Sequence, residues 1–273
     1  MANLQKSVVL IDKPAGPTSF DVVESVTRIL GIEKAGHAGT LDPNVTGLLL
    51  IALGEARKCM PLLNGMDKEY EGEMLFHEDI SEDSVKELAK QFTGKIKQIP
   101  PVKSAVARKE RERIVRSFEI LETNGRLVSF RILCEAGTYI RKICHDMGEK
   151  AGSGAQMSWL RRTGVGPFSV DEAVTLERLE KEPEAHLLEI EDVLLKVGVK
   201  RISIKKENGQ DVRNGKPIIG DYVSDFDSGI KKGDNVFFAI EGSIVGIGSS
   251  SVKFSGLGKT KSQVAKIDRV ILE

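Results

Sequence analysis

A chain of 273 residues with 40% hydrophobic content has room for one large domain and one small one. Its 40 basic and 40 acidic residues cancel, which excludes binding of nucleic acid through overall charge and leaves that task to local patches. The N-terminus carries no long apolar stretch and no segment reaches membrane-spanning length, so the sequence reads as that of a cytoplasmic protein.

Ser7 to Ile11 is a short apolar run before a Pro-Gly turn and reads as a strand. Ser19 then reads as an N-cap; Val22, Val23, Val26, Ile29 and Leu30 recur at helical spacing, and Gly31 closes the helix. Leu48 to Leu53 is continuous and apolar, as in a buried strand, and residues 55–63 read as a helix ending near Asn64-Gly65. Lys68 to His77 reads as a strand, and Ser81 with Glu82 and Asp83 starts a helix that runs to about Gly94. Pro100-Pro101 marks a loop. Segments 113–121 and 127–134 read as strands paired around Asn124-Gly125. Ile140, Ile143, Cys144 and Met147 form one helical face, broken by Gly152-Ser153-Gly154. Short helices follow near 175–181 and 188–196. From Val199 onward, short β-like runs alternate with Asn208-Gly209, Asn214-Gly215 and Lys232-Gly233-Asp234, the texture of a small β domain. The boundary is therefore placed between 1–197 and 198–273.

The most informative segment is 36–47, Gly-His-Ala-Gly-Thr-Leu-Asp-Pro-Asn-Val-Thr-Gly. Gly and Pro make it a poor helix or central strand, so it reads as a tightly turned loop holding one carboxylate, Asp42. Such a carboxylate serves as nucleophile, base or cation partner, or merely closes an Asp-Pro turn. Lys103, Arg108, Lys109, Arg111, Arg113 and Arg116 form the densest basic run, either an RNA contact or a solvated face. Cys59, Cys134 and Cys144 lack metal-ligand spacing and sit in apolar settings, as buried reduced thiols do. No motif for a metal or an organic cofactor is present, and none is expected.

The Asp42 string closely resembles the catalytic motif of the TruB family of pseudouridine synthases. Asp12-Lys13-Pro14-Ala15-Gly16-Pro17-Thr18-Ser19 is similar to the family's first motif, and Lys68-Glu69-Tyr70 to the strand bearing its active-site tyrosine. Gly137-Thr138-Tyr139-Ile140-Arg141 and Leu160-Arg161-Arg162-Thr163 resemble its third region. Asn214-Gly215-Lys216-Pro217, the run 230–236 and Val245-Gly246-Ile247-Gly248 resemble a PUA domain, an RNA-binding module. The resemblance implies an α+β fold: a catalytic domain with a mixed, largely antiparallel sheet flanked by helices, then a small barrel-like PUA domain.

Pseudouridine formation breaks the N-glycosidic bond of a uridine, turns the base and rejoins it through carbon. Asp42 is the candidate nucleophile. By resemblance, Arg141 is its cation and Tyr70 the residue that stacks on the flipped base. His37, Gly39, Thr40, Tyr139 and Lys13 are the candidate substrate contacts; Lys13 is a motif lysine of more structural character, and His37 is otherwise a loop histidine bonded to backbone. Tyr139 and Arg141 face one side if 138–141 is extended and diverge if it is helical.

Lys34-Ala35-Gly36-His37, Lys68-Glu69-Tyr70 and Gly164-Val165-Gly166-Pro167-Phe168 look more like the archaeal, dyskerin-type branch than the bacterial, standalone transfer-RNA branch. That branch implies an H/ACA ribonucleoprotein: a guide RNA, a kink-turn-binding protein and two small accessory proteins around a ribosomal-RNA target. Its PUA surface would grip the guide, with Arg213, Lys216 and Lys232 as basic candidates. The chain begins almost at the first motif, which puts in question how the small domain docks, because an N-terminal extension packs there in relatives. A non-catalytic RNA scaffold is disfavoured by Asp42, Tyr70 and Arg141 together. A glycosidase needs a second placed carboxylate, and no motif supplies one.

Overall fold

The computed structural model describes residues 3–99, 109–254 and 260–271. The Pro100-Pro101 loop and two members of the basic run, Lys103 and Arg108, lie outside them. In chain order the first half holds β1 (Ser7–Lys13), α1 (Ser19–Leu30), β2 (Ala35–His37), β3 (Thr46–Leu53), α2 (Met60–Asn64), β4 (Lys68–Phe76), α3 (Glu82–Gln91), β5 (Gly94–Gln98), β6 (Arg111–Asn124) and β7 (Leu127–Cys134). Next come α4 (Ile140–Ala151), β8 (Ala155–Val165), β9 (Phe168–Ser169), α5 (Leu176–Lys181), β10 (Leu187–Glu189) and α6 (Ile190–Lys196). The chain ends with β11 (Lys200–Ile204), α7 (Gly209–Arg213), β12 (Ile218–Ile219), β13 (Val223–Phe226), β14 (Asn235–Ile240), β15 (Ser243–Ser250) and β16 (Gln263–Val270).

Two sheets organise these elements. The larger runs β10-β1-β3-β8-β4-β7-β6-β5, with β2 on β3 and β9 on β8. Its pairings are antiparallel except β3 with β8. That parallel contact brings Gly47 against Arg162, joining chain segments more than a hundred residues apart at the centre of the sheet. The second sheet runs β12-β16-β15-β14-β11-β13. The α+β class and the largely antiparallel sheet match the expectation.

Burial follows the sequence periodicities. Strand β3 is buried on both faces because α1 and α5 cover one side (Val22, Val26 and Leu179 against Leu49, Ile51 and Leu53) while residues of α6 and the second sheet cover the other. Ile140, Ile143, Cys144 and Met147 of α4 are buried together, against residues of β4 and β7. Strand β4 alternates, with Lys68, Tyr70, Gly72, Met74 and Phe76 on its buried face.

Three local expectations are corrected. The N-cap of α1 is Thr18, not Ser19: Thr18 and Asp21 form a reciprocal capping box, which frees the Ser19 hydroxyl for a distant partner. The β6–β7 hairpin turns at Gly125-Arg126, because Asn124 already pairs with Leu127; Gly125 at φ 59° supplies the positive dihedral that such a turn needs. Residues 55–63 are not one helix. A 3₁₀ segment, Gly54–Cys59, precedes α2, because Pro61 lacks an N–H and is tolerated only in a first turn.

The second sheet docks through residues of this chain. Phe237, Ala239, Ile244, Ile247 and Ile271 share one buried cluster with Val8, Leu10, Ile190, Val193 and Leu194. Lys6 Nζ donates to the Ile244 carbonyl at 3.2 Å, Lys58 Nζ to the Val270 carbonyl at 2.7 Å, and the Ile244 N–H to Glu191 at 2.6 Å. The docking left in question by the sequence is thus made by an apolar cluster with polar ties at its rim.

Candidate active site

The loop between β2 and β3 carries Asp42, and the first motif anchors it. Ser19 Oγ donates to the Leu41 carbonyl at 3.1 Å and accepts the Leu41 N–H at 2.8 Å. Lys13 is fully buried, and its Nζ donates to the carbonyls of Pro14 at 2.8 Å and Pro43 at 3.0 Å. The Gly16 N–H donates to the Pro43 carbonyl at 3.0 Å. The Asp42 carbonyl accepts the Val45 N–H at 3.0 Å, so the segment is also a turn. Lys13, Gly16 and Ser19 therefore clamp the residues on either side of Asp42, which gives the first motif a physical purpose.

Arg141 reaches this loop from the opposite wall. Its Nη2 lies 2.8 Å from the Asp42 carboxylate. Both side chains are half-exposed, at 50% and 49%. A pair in such a setting contributes about 0–1 kcal/mol to stability; its value is orientation. Helix α4 begins at Ile140, with Tyr139 still extended at φ −97° and ψ 100°. Tyr139 and Arg141 thus sit on either side of a helix start and both line the cleft, in a segment that is neither all extended nor all helical. Gln98, 4% exposed, holds the junction by donating to the Tyr139 carbonyl and accepting its N–H, both at 3.1 Å.

Between the walls lies a cleft of about 600 Å³, large enough for one nucleoside. His37, Gly39, Thr40 and Asp42 line one side, and Tyr139 and Arg141 the other, with Tyr70, Lys68 and Arg162 also in the lining. Tyr70 is 9% exposed, and burial raises its phenol pKa, so the ring is neutral at physiological pH. His37 has its pKa lowered, first by burial and then by the Arg162 charge, and its Nδ1 is buried without a partner among the described residues.

Sequence reasoning did not single out Arg162, Lys68 or Gln98 as site residues. Arg162 is 1% exposed. Its Nε donates to the Leu48 carbonyl at 2.7 Å and its Nη2 to the Gly39 carbonyl at 3.0 Å, and it lines the cleft with Tyr70. Lys68 is 5% exposed, donates to the carbonyls of Asn64 at 2.7 Å and Met66 at 2.6 Å, and has its pKa pushed down to about 8 by burial and by Arg162. Two clues to Lys68 and Arg162 existed in the sequence: each sits inside a family-like motif, and each interrupts a strand pattern at an inward position.

The other sequence candidates lie elsewhere. Arg213 ends α7, and Lys216 pairs with Asp211 at 2.6 Å. Lys232 is exposed in the turn before β14. None of the three lines the cleft. In the described part of the basic run, Arg116 pairs with Asp67 at 3.0 Å and Arg113 donates to the Gly137 carbonyl at 3.1 Å. Those contacts serve the fold. All three cysteines are buried and unpaired. No group of metal-ligating side chains occurs among the described residues, and no described helix is long and apolar enough to cross a membrane.

Comparisons with known proteins agree with this geometry. Residues 27–140 match the N-terminal domain of the TruB family pseudouridylate synthases, and 141–197 match the tRNA pseudouridylate synthase B C-terminal domain. A probable tRNA pseudouridine synthase B of Thermoplasma acidophilum is 40% identical over 97% of this chain and 74% of its own length. One from Methanothermobacter thermautotrophicus is 40% identical over 92% and 81%. A solved Cbf5-Nop10-Gar1 complex contains a chain 37% identical, with TM-score 0.86, covering 98% of this chain and 86% of that one. An H/ACA ribonucleoprotein bound to a substrate RNA containing 2'-deoxyuridine contains one 34% identical, with TM-score 0.85 and coverage of 99% and 86%. With a clamped aspartate, its arginine and a buried tyrosine around one nucleoside-sized cleft, the chain belongs to the TruB family of pseudouridylate synthases.

Proposed function

We propose that this chain isomerises uridine to pseudouridine in RNA, as the catalytic subunit of a guide-RNA-directed H/ACA ribonucleoprotein. The observation that carries the catalytic assignment is the Asp42–Arg141 pair at 2.8 Å, set across the cleft that Tyr70 lines. Asp42 supplies the carboxylate beside the sugar, and Arg141 orients it. Tyr70 stacks on the everted base, and Tyr139, His37, Gly39 and Thr40 line the entry. Lys13 acts on the loop, not on the substrate. The target must leave its stack, at a cost of a few kcal/mol that contacts to the RNA backbone offset.

Residues 1–197 form the catalytic domain and 198–273 a PUA domain, in which Arg213, Lys216 and Lys232 are the basic candidates for gripping the guide. The likeness to chains from H/ACA complexes supports guide-dependent action on ribosomal RNA, with small accessory proteins and a kink-turn-binding protein as partners in the cytoplasm. The names of the curated relatives favour a second reading, direct action on transfer RNA.

One assay addresses both. Tritium release from labelled uridine is measured on target RNA with guide and on transfer RNA without it. Product only with guide supports the first reading; product on transfer RNA alone supports the second. Asp42→Asn should cut turnover by at least about 10⁴-fold, with RNA affinity within about twofold because the pair is half-exposed and little folding energy depends on it. Wild-type turnover in that variant removes Asp42 from the mechanism.

A further inference from the structure

We propose that Lys68 and Arg162 act on the detached base, stabilising the negative charge that uracil carries once its glycosidic bond has broken. The inference rests on the functional reading above.

The cleft is lined by one carboxylate, Asp42, and three strong cations, Arg141, Lys68 and Arg162. Arg141 meets Asp42. Among the described residues, Lys68 and Arg162 are in no ion pair: their hydrogen-bond partners are the carbonyls of Asn64, Met66, Leu48 and Gly39. Burying an ion costs several kcal/mol, and carbonyl acceptors alone are satisfied by neutral donors. Two buried charges without a counter-ion fit a site that meets an anion during its working cycle.

Their placement suits that anion. A Cβ built on Gly39 would stand 3.5 Å from Arg162 Nη1 and 3.7 Å from Lys68 Cε. Both cations therefore gather under one residue, three positions before Asp42. Each has capacity left. An ammonium has three donors, of which two are used, and a guanidinium has five, of which two have named acceptors.

The reaction supplies the charge. When C1′–N1 breaks, the electron pair stays with the base, which becomes an anion delocalised over N1, O2 and O4, while the electron-poor sugar faces Asp42. C5 then bonds C1′, the C5 proton leaves and N1 gains one. Atoms balance and no oxidant is involved. Fixed cations in a water-poor site act most strongly where charge develops, and they also keep the free base from escaping.

The experiment compares single-turnover consumption of uridine and of 5-fluorouridine at the target position, read by chromatography of digested RNA. Fluorine stabilises the base anion and lessens the need for protein help. Lys68→Met should slow uridine by about 100-fold and 5-fluorouridine by tenfold or less. Lys68→Gln, which keeps donors but not charge, should show the same contrast, as should Arg162→Gln. Equal slowing on both RNAs overturns the inference.

A second readout needs no variant. The wild-type rate on uridine should fall as pH rises through about 8, where Lys68 loses its proton. The groups facing Lys68 are Arg162 from β8, Cys134 from β7 and Asp67 before β4. Arginine stays charged, the Cys134 thiol is pushed up to about 12, and Asp67 is paired with Arg116, so none of them mimics this limb. A rate flat from pH 7 to 10 overturns the inference. A wild type without product on any RNA, with or without guide, defeats the functional reading itself.

Discussion

Gly47→Ala tests whether the meeting of β3 and β8 holds the site together. Gly47 has φ 104°, which L residues rarely adopt, and a Cβ there would lie 2.2 Å from the Arg162 carbonyl oxygen and 2.7 Å from its nitrogen. Restoring ordinary contact of about 3.4 Å requires roughly 1.2 Å of separation between the two strands. The obstacle is backbone, so no side-chain rotation relieves it. Overpacking of this kind costs about 1–3 kcal/mol and the forced dihedral about 1–3 kcal/mol more. The shift would also stretch the 2.7 Å bond from Arg162 Nε to the Leu48 carbonyl beyond hydrogen-bond range, a further loss of about 1.5–3 kcal/mol for a charged donor. Partial relaxation makes these overlap, and about 4 kcal/mol is the expected total, a large share of a typical domain's 5–15 kcal/mol. Urea denaturation followed by circular dichroism measures it. The midpoint should fall with little change in slope, and turnover should fall even where the variant remains folded. A loss below about 1 kcal/mol refutes the claim that this backbone contact sets the position of Arg162.

Two further outcomes follow from burial. Lys68 titrates near 8 in the folded chain against 10.5 unfolded. Between those values the unfolded chain binds more protons, so this group makes stability rise with pH, by an amount on the order of 3 kcal/mol when the window is complete. Below pH 8 both states are protonated and the dependence vanishes. Urea melts of wild type and Lys68→Met across pH 7–10.5 should diverge in that sense, and parallel curves refute it. Cys59, Cys134 and Cys144 are buried, with thiol pKa values pushed up to about 12 by burial. Native protein at pH 8 should resist iodoacetamide over an hour, whereas in 6 M guanidinium all three should alkylate. Mass spectrometry of intact chains decides, and rapid native labelling contradicts the packing of those three positions.

Much of the fold was legible because local patterns here agree with global burial. The valines of α1, the apolar face of α4 and the uninterrupted β3 each occupy the place their spacing implies. Cap and turn positions were less legible. Thr18 and Ser19 are adjacent hydroxyl residues, and only the neighbouring loop shows that Ser19 is reserved for Leu41. Asp42, Arg141 and Tyr70 were found through motifs and do meet in one cleft. Arg162 was overlooked as a site residue because a lone arginine in a strand ordinarily faces solvent.

From the chain alone came the family, the acidic loop, the order of elements and the change of texture near residue 198, since each is written in residues close together in sequence. Tertiary structure decided the rest: that Lys13, Gly16 and Ser19 clamp the Asp42 loop, that α4 starts between Tyr139 and Arg141, and that Lys68 and Arg162 lie buried without a counter-charge. Burial and the identity of a partner across the sheet depend on which strands meet, and the crossing of β3 with β8 joins segments too far apart for any local pattern to encode.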